Sequence, residues 1–122
     1  MEFRRKERYT AQDLVRIVAL LRDPADGCPW DKEQTHQSIR SNFIEETYEV
    51  LEAIDLADAH LLEEELGDVL LQVALHCQME AEKGVFDFDA VCDGICKKLI
   101  YRHPHVFGDT VAETTDQVLS NW

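Results

Sequence analysis

Apolar residues recur every three to four positions along most of this 122-residue chain, a spacing typical of one face of an α-helix. No stretch of any length shows the strict alternation of apolar and polar residues that is typical of a β-strand. Breaks occur where glycine and proline stand, at residues 23–31, at Gly84 and around Pro104. We therefore predict an all-α fold, a helical bundle in a single domain that spans residues 1–122.

The helices are predicted from their caps and breaks. Thr10 and Asp13 resemble a capping box, and Asp31 or Thr35 caps the second helix, while Asp58 caps the third. Pro104 disfavours helix at the residue before it and ends the fourth. The predicted helices end at about residues 22, 57, 83 and 102, residues 103–110 form a loop, and another helix begins at about residue 111.

One pattern of acidic and apolar positions occurs twice, as EETYEVL at residues 45–51 and EELGDVL at residues 64–70. At about 100° per residue, each copy lies beside an apolar stripe on its helix, which we expect to face the core. The members of the two stripes are Phe43, Val50, Leu51 and Ile54 on one helix, and Leu62, Val69, Leu70 and Val73 on the next.

Each copy also carries a pair of acids on the same flank of its stripe. Glu46 and Glu49 on the second helix have the same angular offsets as Glu65 and Asp68 on the third. The two pairs are symmetric about residue 57, where the turn is predicted. An antiparallel hairpin therefore brings four carboxylates to one height. Gly67, between the second pair, leaves room for a ligand close to the backbone.

The charge of the chain is distributed unevenly. The net charge is −13, which argues against broad nucleic-acid or anionic-membrane binding. Between Arg40 and Lys83 there are twelve acidic residues and no lysine or arginine. Helix surfaces usually mix both signs because opposite charges one turn apart attract. We therefore expect a cation from outside this segment to neutralise it.

Carboxylate oxygens are hard ligands that suit Mg²⁺, Mn²⁺ or Ca²⁺ rather than zinc. We predict a magnesium site, with Mn²⁺ as a second candidate. Its four proposed ligands are Glu46, Glu49, Glu65 and Asp68. The alternative is a solvated acidic face that binds no ion. A di-iron bundle would need Glu-x-x-His spacing, and His60 and His76 do not stand at that spacing from these acids.

Other features favour the cytoplasm. No apolar run reaches the ~18 residues that a membrane-spanning helix needs, and the basic N-terminus has no apolar stretch behind it, so we expect no secretory signal. The four cysteines fit reduced thiols. Cys92 and Cys96 share a helix face, but a zinc site would need two more ligands, so we expect them to pack as small apolar residues.

The ordered motifs CPWDKEQTHQSI, EETYEVLEAI, EELGDVLLQV, FDFDAV, KLIYRHPHVFGD and VLSNW resemble the MazG family of nucleoside triphosphate pyrophosphohydrolases. The resemblance runs from about residue 10 to the last residue and includes the family's Glu-Glu-x-x-Glu and Glu-x-x-Asp motifs. It implies an all-α fold that is usually dimeric or higher. It also implies Mg²⁺-dependent hydrolysis of an NTP or dNTP to the monophosphate and pyrophosphate, with a role in clearing surplus or non-standard nucleotides.

Further residues are candidates for catalysis and substrate binding. Glu45 is offset from the main pair and is predicted to orient the attacking water or to hold a second metal ion, with a solvent-facing position as the alternative. Asn42, one turn before Glu46, is expected to touch sugar or phosphate. Trp30, in the CPWD loop, is a candidate to line the site or a subunit contact, although simple packing in the core or at an interface is the favoured role.

The resemblance adds three candidates near the C-terminus. Lys98 and Arg102 match the family's phosphate-binding basic pair, and they also suit the helix dipole as a purely structural feature. Trp122 matches a family tryptophan that lies near the nucleotide. The family usually continues with more helix and a lysine, whereas this chain ends at Trp122.

We therefore expect a nucleoside triphosphate substrate and a homodimer or larger homo-oligomer. One enzymatic alternative is a narrower dNTP or phosphoribosyl-ATP pyrophosphohydrolase. An alternative from another class is a non-catalytic helical module that binds a partner.

Overall fold

A computed structural model of the protein describes residues 3–109 and 114–120. Helices are the only regular structure in this part of the chain. They are α1 (Ala11–Leu21), a 3₁₀ turn (Asp31–Glu33), α2 (Asn42–Asp55), α3 (Ala59–Glu82), α4 (Phe88–Arg102), α5 (Pro104–Phe107) and α6 (Thr115–Ser120). The prediction of an all-α fold is therefore confirmed.

The chain divides into two compact units, one that ends at Phe88 and one that begins at Asp89. The first contains α1, α2 and α3, and the second contains nearly all of α4, with α5 and α6. The acidic hairpin lies wholly in the first unit. The assignment of residues 1–122 to one domain stays a prediction.

The core of the first unit lies between α1 and the C-terminal half of α3. Val18 of α1 and Ile39, from the turns before α2, are each 1% exposed. They pack with Ala74, Leu75 and Met79 of α3. Burying a side chain of this size is worth about 1.5–3 kcal/mol relative to exposing it. Ile39 therefore anchors the segment that leads into α2.

A tight turn joins α2 and α3 into the antiparallel hairpin that the sequence predicts. Ala57 takes a φ of +53° in this turn, and the Asp58 N–H donates to the Ala53 carbonyl at 3.2 Å. The Asp58 carboxylate accepts a hydrogen bond from the Leu61 N–H at 3.0 Å and so caps α3. These bonds satisfy backbone groups that the two helix ends would otherwise leave without partners.

The start of α2 differs from the sequence-based expectation. α2 begins at Asn42, so the prediction of a helix start at Asp31 or Thr35 is wrong. The Thr35 N–H donates to Ser38 Oγ at 2.8 Å, and the Ser38 N–H donates to Thr35 Oγ1 at 3.1 Å. These reciprocal bonds resemble a capping box and start a turn at Thr35, but regular helix begins only at Asn42.

Arg22, the C-cap residue of α1, fastens these turns to the end of α3. Its guanidinium forms two hydrogen bonds with the Glu82 carboxylate, at 2.9 and 3.1 Å. The same group donates to the Asp31 and Gln34 carbonyls at 2.7 and 3.0 Å. One side chain therefore holds three segments together, and the bonds to a carboxylate are among the stronger kinds.

The region after α4 also corrects one expectation. Residues 104–107 form a short helix where a loop is predicted. Pro104 occupies its first turn, where a proline is well accommodated because it needs no N–H partner there. The tail contains helix at Thr115–Ser120, as expected; residues 111–113 and 121–122 lie outside the described residues.

The apolar stripe of the hairpin is not its core. Ala53, roughly 120° around α2 from the centre of the stripe, is fully buried, whereas Leu51, Ile54 and Leu70 are exposed, so their predicted core position is wrong. We call the exposed side the apolar face. Its members are Ile44, Tyr48, Leu51, Ile54, Leu66 and Leu70. Equal angular offsets on antiparallel helices place these residues on one side of the hairpin.

None of the helices in the described part of the chain has the length and apolar character needed to cross a bilayer.

Candidate metal centre

Three of the four predicted metal ligands meet between α2 and α3. One carboxylate oxygen each of Glu46, Glu65 and Asp68 lies within 4.8 Å of the other two. We call these residues the acidic cluster. All three side chains are half-buried. Because carboxylates repel one another, this arrangement without a cation is unfavourable.

The geometry follows from two local features of the hairpin. Glu65 and Asp68 are three residues apart, so they share a face of α3. The turn at Ala57 brings Glu46 of α2 to the same height. The cluster therefore depends on where α2 ends and α3 begins, and Asp58 sets that boundary by capping α3.

The cluster raises the pKa values of two of its own members. Partial burial raises the pKa of Glu46 above its ordinary value of 4.5, and the charge of Asp68 raises it further. The same two causes, in the same order, raise the pKa of Glu65. Among the described residues, the ion pairs of α3 are made by Glu80 and Glu82, at its other end. A divalent cation would relieve the repulsion, so the oxygen donors of the cluster fit Mg²⁺.

The other two predicted acids lie around this cluster. Glu49 is exposed and does not belong to the three-residue group, although its charge raises the pKa values of both Glu46 and Glu65. Glu45 is exposed in the first turn of α2, and its charge also raises the pKa of Glu46. Both therefore act on the cluster electrostatically.

The predicted substrate contacts are placed as follows in the first unit. Asn42 is half-buried as the first residue of α2. Trp30 is 59% exposed beside the 3₁₀ turn, where its carbonyl accepts from Gln34 Nε2 at 2.8 Å. An exposed indole is available to a ligand or partner and does not belong to the core of this unit. Trp122 lies outside the described residues.

The predicted basic pair lies in the second unit. Lys98 is exposed and Arg102 half-buried, one turn apart on α4. Lys97, on another face, pairs with Asp93 at 2.8 Å. The lysine held in this surface ion pair is therefore on a different face of α4 from Lys98 and Arg102.

Sequence reasoning missed Gln72. This side chain is 5% exposed, and its Oε1 atom has no hydrogen-bond partner among the described residues. It stands four residues after Asp68 on the same face of α3. A buried acceptor without a partner is unfavourable. The helical spacing from Asp68 is visible in the sequence, but a glutamine in a helix is ordinarily exposed.

Comparison with known proteins adds the family. A family model described as the MazG nucleotide pyrophosphohydrolase domain matches residues 34–107, which include the whole acidic cluster. The chain belongs to this family. The MazG domain thus holds its acidic motifs on the hairpin of α2 and α3.

Curated relatives of the chain include proteins named as nucleoside triphosphate pyrophosphohydrolases. The chain is 52% identical over 109 residues to a nucleoside triphosphate pyrophosphohydrolase of Escherichia coli (strain K12), covering 89% of this chain and 41% of that protein. It is 50% identical over 99 residues to the nucleoside triphosphate pyrophosphohydrolase/pyrophosphatase MazG of Thermotoga maritima, covering 81% and 38%. It is 54% identical over 106 residues to the uncharacterized protein YabN of Bacillus subtilis, covering 87% and 22%. The chain therefore spans less than half of each relative.

Proposed function

We propose that this MazG domain hydrolyses a nucleoside triphosphate, NTP or dNTP, to the monophosphate and pyrophosphate. The observation that carries the proposal is the convergence of Glu46, Glu65 and Asp68 within 4.8 Å. Two relatives that share about half of their aligned residues with the chain are named for this activity. A triphosphate is itself an anion that bare carboxylates would repel, so the proposal requires a cation.

The residues of the acidic cluster would hold Mg²⁺, with Mn²⁺ as a second candidate, and Glu49 would join them. When bound, the ion supplies charge neutralisation that lets carboxylates and phosphates share one site. Glu45 would orient the attacking water and accept its proton. Its exposed position in the first turn of α2 leaves it accessible for this role.

Binding of the substrate would involve residues outside the cluster. Asn42 would contact sugar or phosphate, and Trp30 and Trp122 would contact the nucleoside. Lys98 and Arg102 would bind phosphate, since ammonium and guanidinium groups form strong hydrogen bonds with phosphate oxygens. We further propose that residues 1–122 act as one domain in the cytoplasm and do not bind nucleic acid.

We also propose that the domain works as a homodimer. The apolar face exposes large side chains, among them Tyr48 at 67% and Leu66 at 50%. Contiguous exposed apolar surface is typical of protein–protein contacts. A two-fold dimer would bury the same surface of both copies.

The test is pyrophosphate release from a panel of NTPs and dNTPs, with and without Mg²⁺. Asp68→Asn removes one negative ligand at nearly constant size, and we expect it to lower the rate at least about 100-fold. Glu64→Gln is the matched control, because Glu64 is an exposed acid of the same helix outside the cluster. We expect this control to retain most of the activity.

Three outcomes would contradict the proposal in different ways. Equal activity of Asp68→Asn and Glu64→Gln would remove the cluster from catalysis. Activity on one dNTP or on phosphoribosyl-ATP alone would replace the broad function by a narrow one. If no substrate is hydrolysed under any metal condition, the domain is a non-catalytic binding module.

A further inference from the structure

A pair of histidines lies near the other end of the first unit, away from the acidic motifs in sequence. His36, in the turns before α2, and His76, on α3, lie edge to edge, with ring centroids 4.9 Å apart and ring planes 3° from parallel. Their Nδ1 atoms are 2.6 Å apart, and His36 Nε2 lies 2.5 Å from Glu80 Oε2. The two histidines, which we call the histidine pair, therefore form a hydrogen-bonded chain that ends on a carboxylate.

The bonding partners determine where the protons lie. An ionised carboxylate only accepts, so His36 Nε2 donates to Glu80. In a neutral ring, His36 Nδ1 then accepts, and His76 Nδ1 is the donor. His76 Nε2 carries no proton in this arrangement, and it is buried without a partner among the described residues. The neutral histidine pair thus has one self-consistent arrangement of protons.

A further proton has no favourable position in this series of hydrogen bonds. On His36 Nδ1 it would face the Nδ1–H of His76 at 2.6 Å. If His76 accepted instead, its own proton would move to the buried Nε2 atom, and a buried donor without a partner is costly. Burial and the neighbouring His36 both lower the pKa of His76 below its ordinary value of 6.5.

Charged groups around the histidine pair come from two helices. Lys83 of α3 contacts Glu80 at 3.1 Å, and hydrogen bonds from His36 and Lys83 lower the Glu80 pKa. The ion pair of Arg22, at the end of α1, with Glu82 lines the same pocket as His36. The contact from α2 is the uncharged ring of Phe43. Glu80 therefore holds the Nε2 proton of His36, whereas the contact between the two Nδ1 atoms has room for only one proton.

The histidine pair is connected to the acidic hairpin through Phe43. The Phe43 ring stacks on His76, with centroids 5.0 Å apart and planes 12° from parallel. Phe43 is the second residue of α2 and lies in its first turn, which carries Glu45 and directly precedes Glu46. Its carbonyl accepts a hydrogen bond from Thr47 Oγ1 at 2.6 Å. His76 therefore contacts the first turn of α2 directly, and His36 is connected to that turn through His76.

We propose that His36 and His76 are positioning residues for the acidic site. The histidine pair holds the first turn of α2 against α3 only while a single proton is shared between its Nδ1 atoms. Mild acid releases this turn and weakens divalent-ion binding. The effect on the site rests on the proposed function, whereas the proton-dependent hold on α2 does not.

The experiment compares His36→Gln and His76→Gln with the unchanged chain. His60→Gln is the matched control, because His60 is an exposed histidine in the first turn of α3. Amide hydrogen exchange over residues 35–46, corrected for the intrinsic effect of pH, is measured at about pH 7.5 and about pH 5.5, which bracket ordinary histidine titration. Mn²⁺ affinity is measured at the same two values.

For the unchanged chain and His60→Gln, we expect protection of residues 35–46 to be about tenfold lower at the acidic pH, because the additional proton binds more tightly when the turn is released than when it is held. Mn²⁺ affinity should fall with it, beyond the loss caused by carboxylate protonation that all variants share. In His36→Gln, whose half-exposed position tolerates change, and in His76→Gln, protection should be lower at neutral pH and nearly independent of pH.

The nitrogen-15 imidazole spectrum gives a second readout that a merely structural role would not move. We expect a protonated Nδ1 and a bare Nε2 on His76 at neutral pH. A pH-independent protection in the unchanged chain, or the same pH dependence in all variants, would overturn the proposal. Loss of pyrophosphate release with an intact pH-dependent hold would overturn only the proposed function.

Discussion

At the scale of single residues, the pKa values of the carboxyl groups at the two ends of α3 are shifted in opposite directions. Burial and the charge of Asp68 raise the pKa of Glu65. Hydrogen bonds from His36 and Lys83 lower the pKa of Glu80, and a hydrogen bond from Arg22 lowers that of Glu82. The difference arises because cations reach one end of the helix and the acidic cluster has none nearby in sequence.

The cluster should therefore destabilise the ion-free protein at neutral pH. A carboxyl whose pKa is raised by folding contributes stability below its unfolded value, 4.5 for Glu65, and loses it as pH rises through the folded value. We expect Glu65→Gln to raise the melting temperature near pH 7, and to change it little below about pH 4, where both states are protonated. Thermal unfolding at several pH values without divalent ions checks this.

Addition of Mg²⁺ should reverse the order of the two melting temperatures, so that the unchanged chain melts above Glu65→Gln. An ion at about 100 times its Kd stabilises the folded state by about 2.7 kcal/mol. The unchanged chain should gain stability at neutral pH, and Glu65→Gln should gain much less. The idea of an ion held by Glu65 fails if both proteins respond alike to Mg²⁺ in the same thermal scans.

Gly67 is a second residue whose effect can be predicted. It lies within α3 between Glu65 and Asp68, and a Cβ added there meets nothing within 4 Å. Gly67→Ala should therefore stabilise the helix by up to ~1 kcal/mol. If the substrate approaches the backbone here, the same variant should lower pyrophosphate release. Chemical denaturation and a rate assay measure the two effects.

The control for this variant is Gly94→Ala. Gly94 lies in α4, and a Cβ there also has open space. We expect the same gain in helix propensity without loss of activity. Unchanged pyrophosphate release in Gly67→Ala would show that the open space beside the cluster has no role in binding.

At the scale of elements, the turn between α2 and α3 sets the height at which the acids meet. Ala57 adopts a φ of +53°, a conformation that an L-residue takes at a cost of about 1–2 kcal/mol. Glycine takes it freely but loses more entropy on folding. We expect Ala57→Gly to raise the free energy of unfolding by about 0.5–1 kcal/mol, measured by urea denaturation.

Ala81→Gly is the control for the turn. Ala81 is exposed in the last turn of α3, where glycine should lower stability by up to ~1 kcal/mol. Opposite signs for the two variants are the expected result. A destabilising Ala57→Gly would show that this turn does not carry the strain that its φ value indicates.

At the scale of the whole molecule, the apolar face of the hairpin is exposed to solvent in the part of the chain that the structure describes. We expect the protein to be a dimer by light scattering, and Leu66→Lys to move it towards monomer, because a buried lysine without a partner opposes association. Val85→Lys is the control, since Val85 is an exposed apolar residue after α3, outside this face. A monomeric unchanged chain would contradict the dimer proposal.

The lengths of the relatives also matter at the scale of the whole molecule. The chain spans between 22% and 41% of the YabN, Escherichia coli and Thermotoga maritima proteins, so the activity of a whole relative does not transfer to it without the pyrophosphate assay. The acidic motifs and the helices that carry them lie within the matched residues 34–107.

The sequence by itself determined the all-α fold, the caps at Thr10 and Asp58, and the symmetric placing of the acids, because these depend on spacing and on contacts between near neighbours in the chain. It did not determine the start of α2 or the short helix at Pro104–Phe107. It also determined the family through ordered motifs. Only the tertiary structure decided that the stripe with Leu51 and Ile54 is exposed, because a period of apolar residues marks a face without saying what covers it. The bond between His36 and His76, forty residues apart, likewise depends on how α3 packs against the turns before α2, which no local pattern encodes.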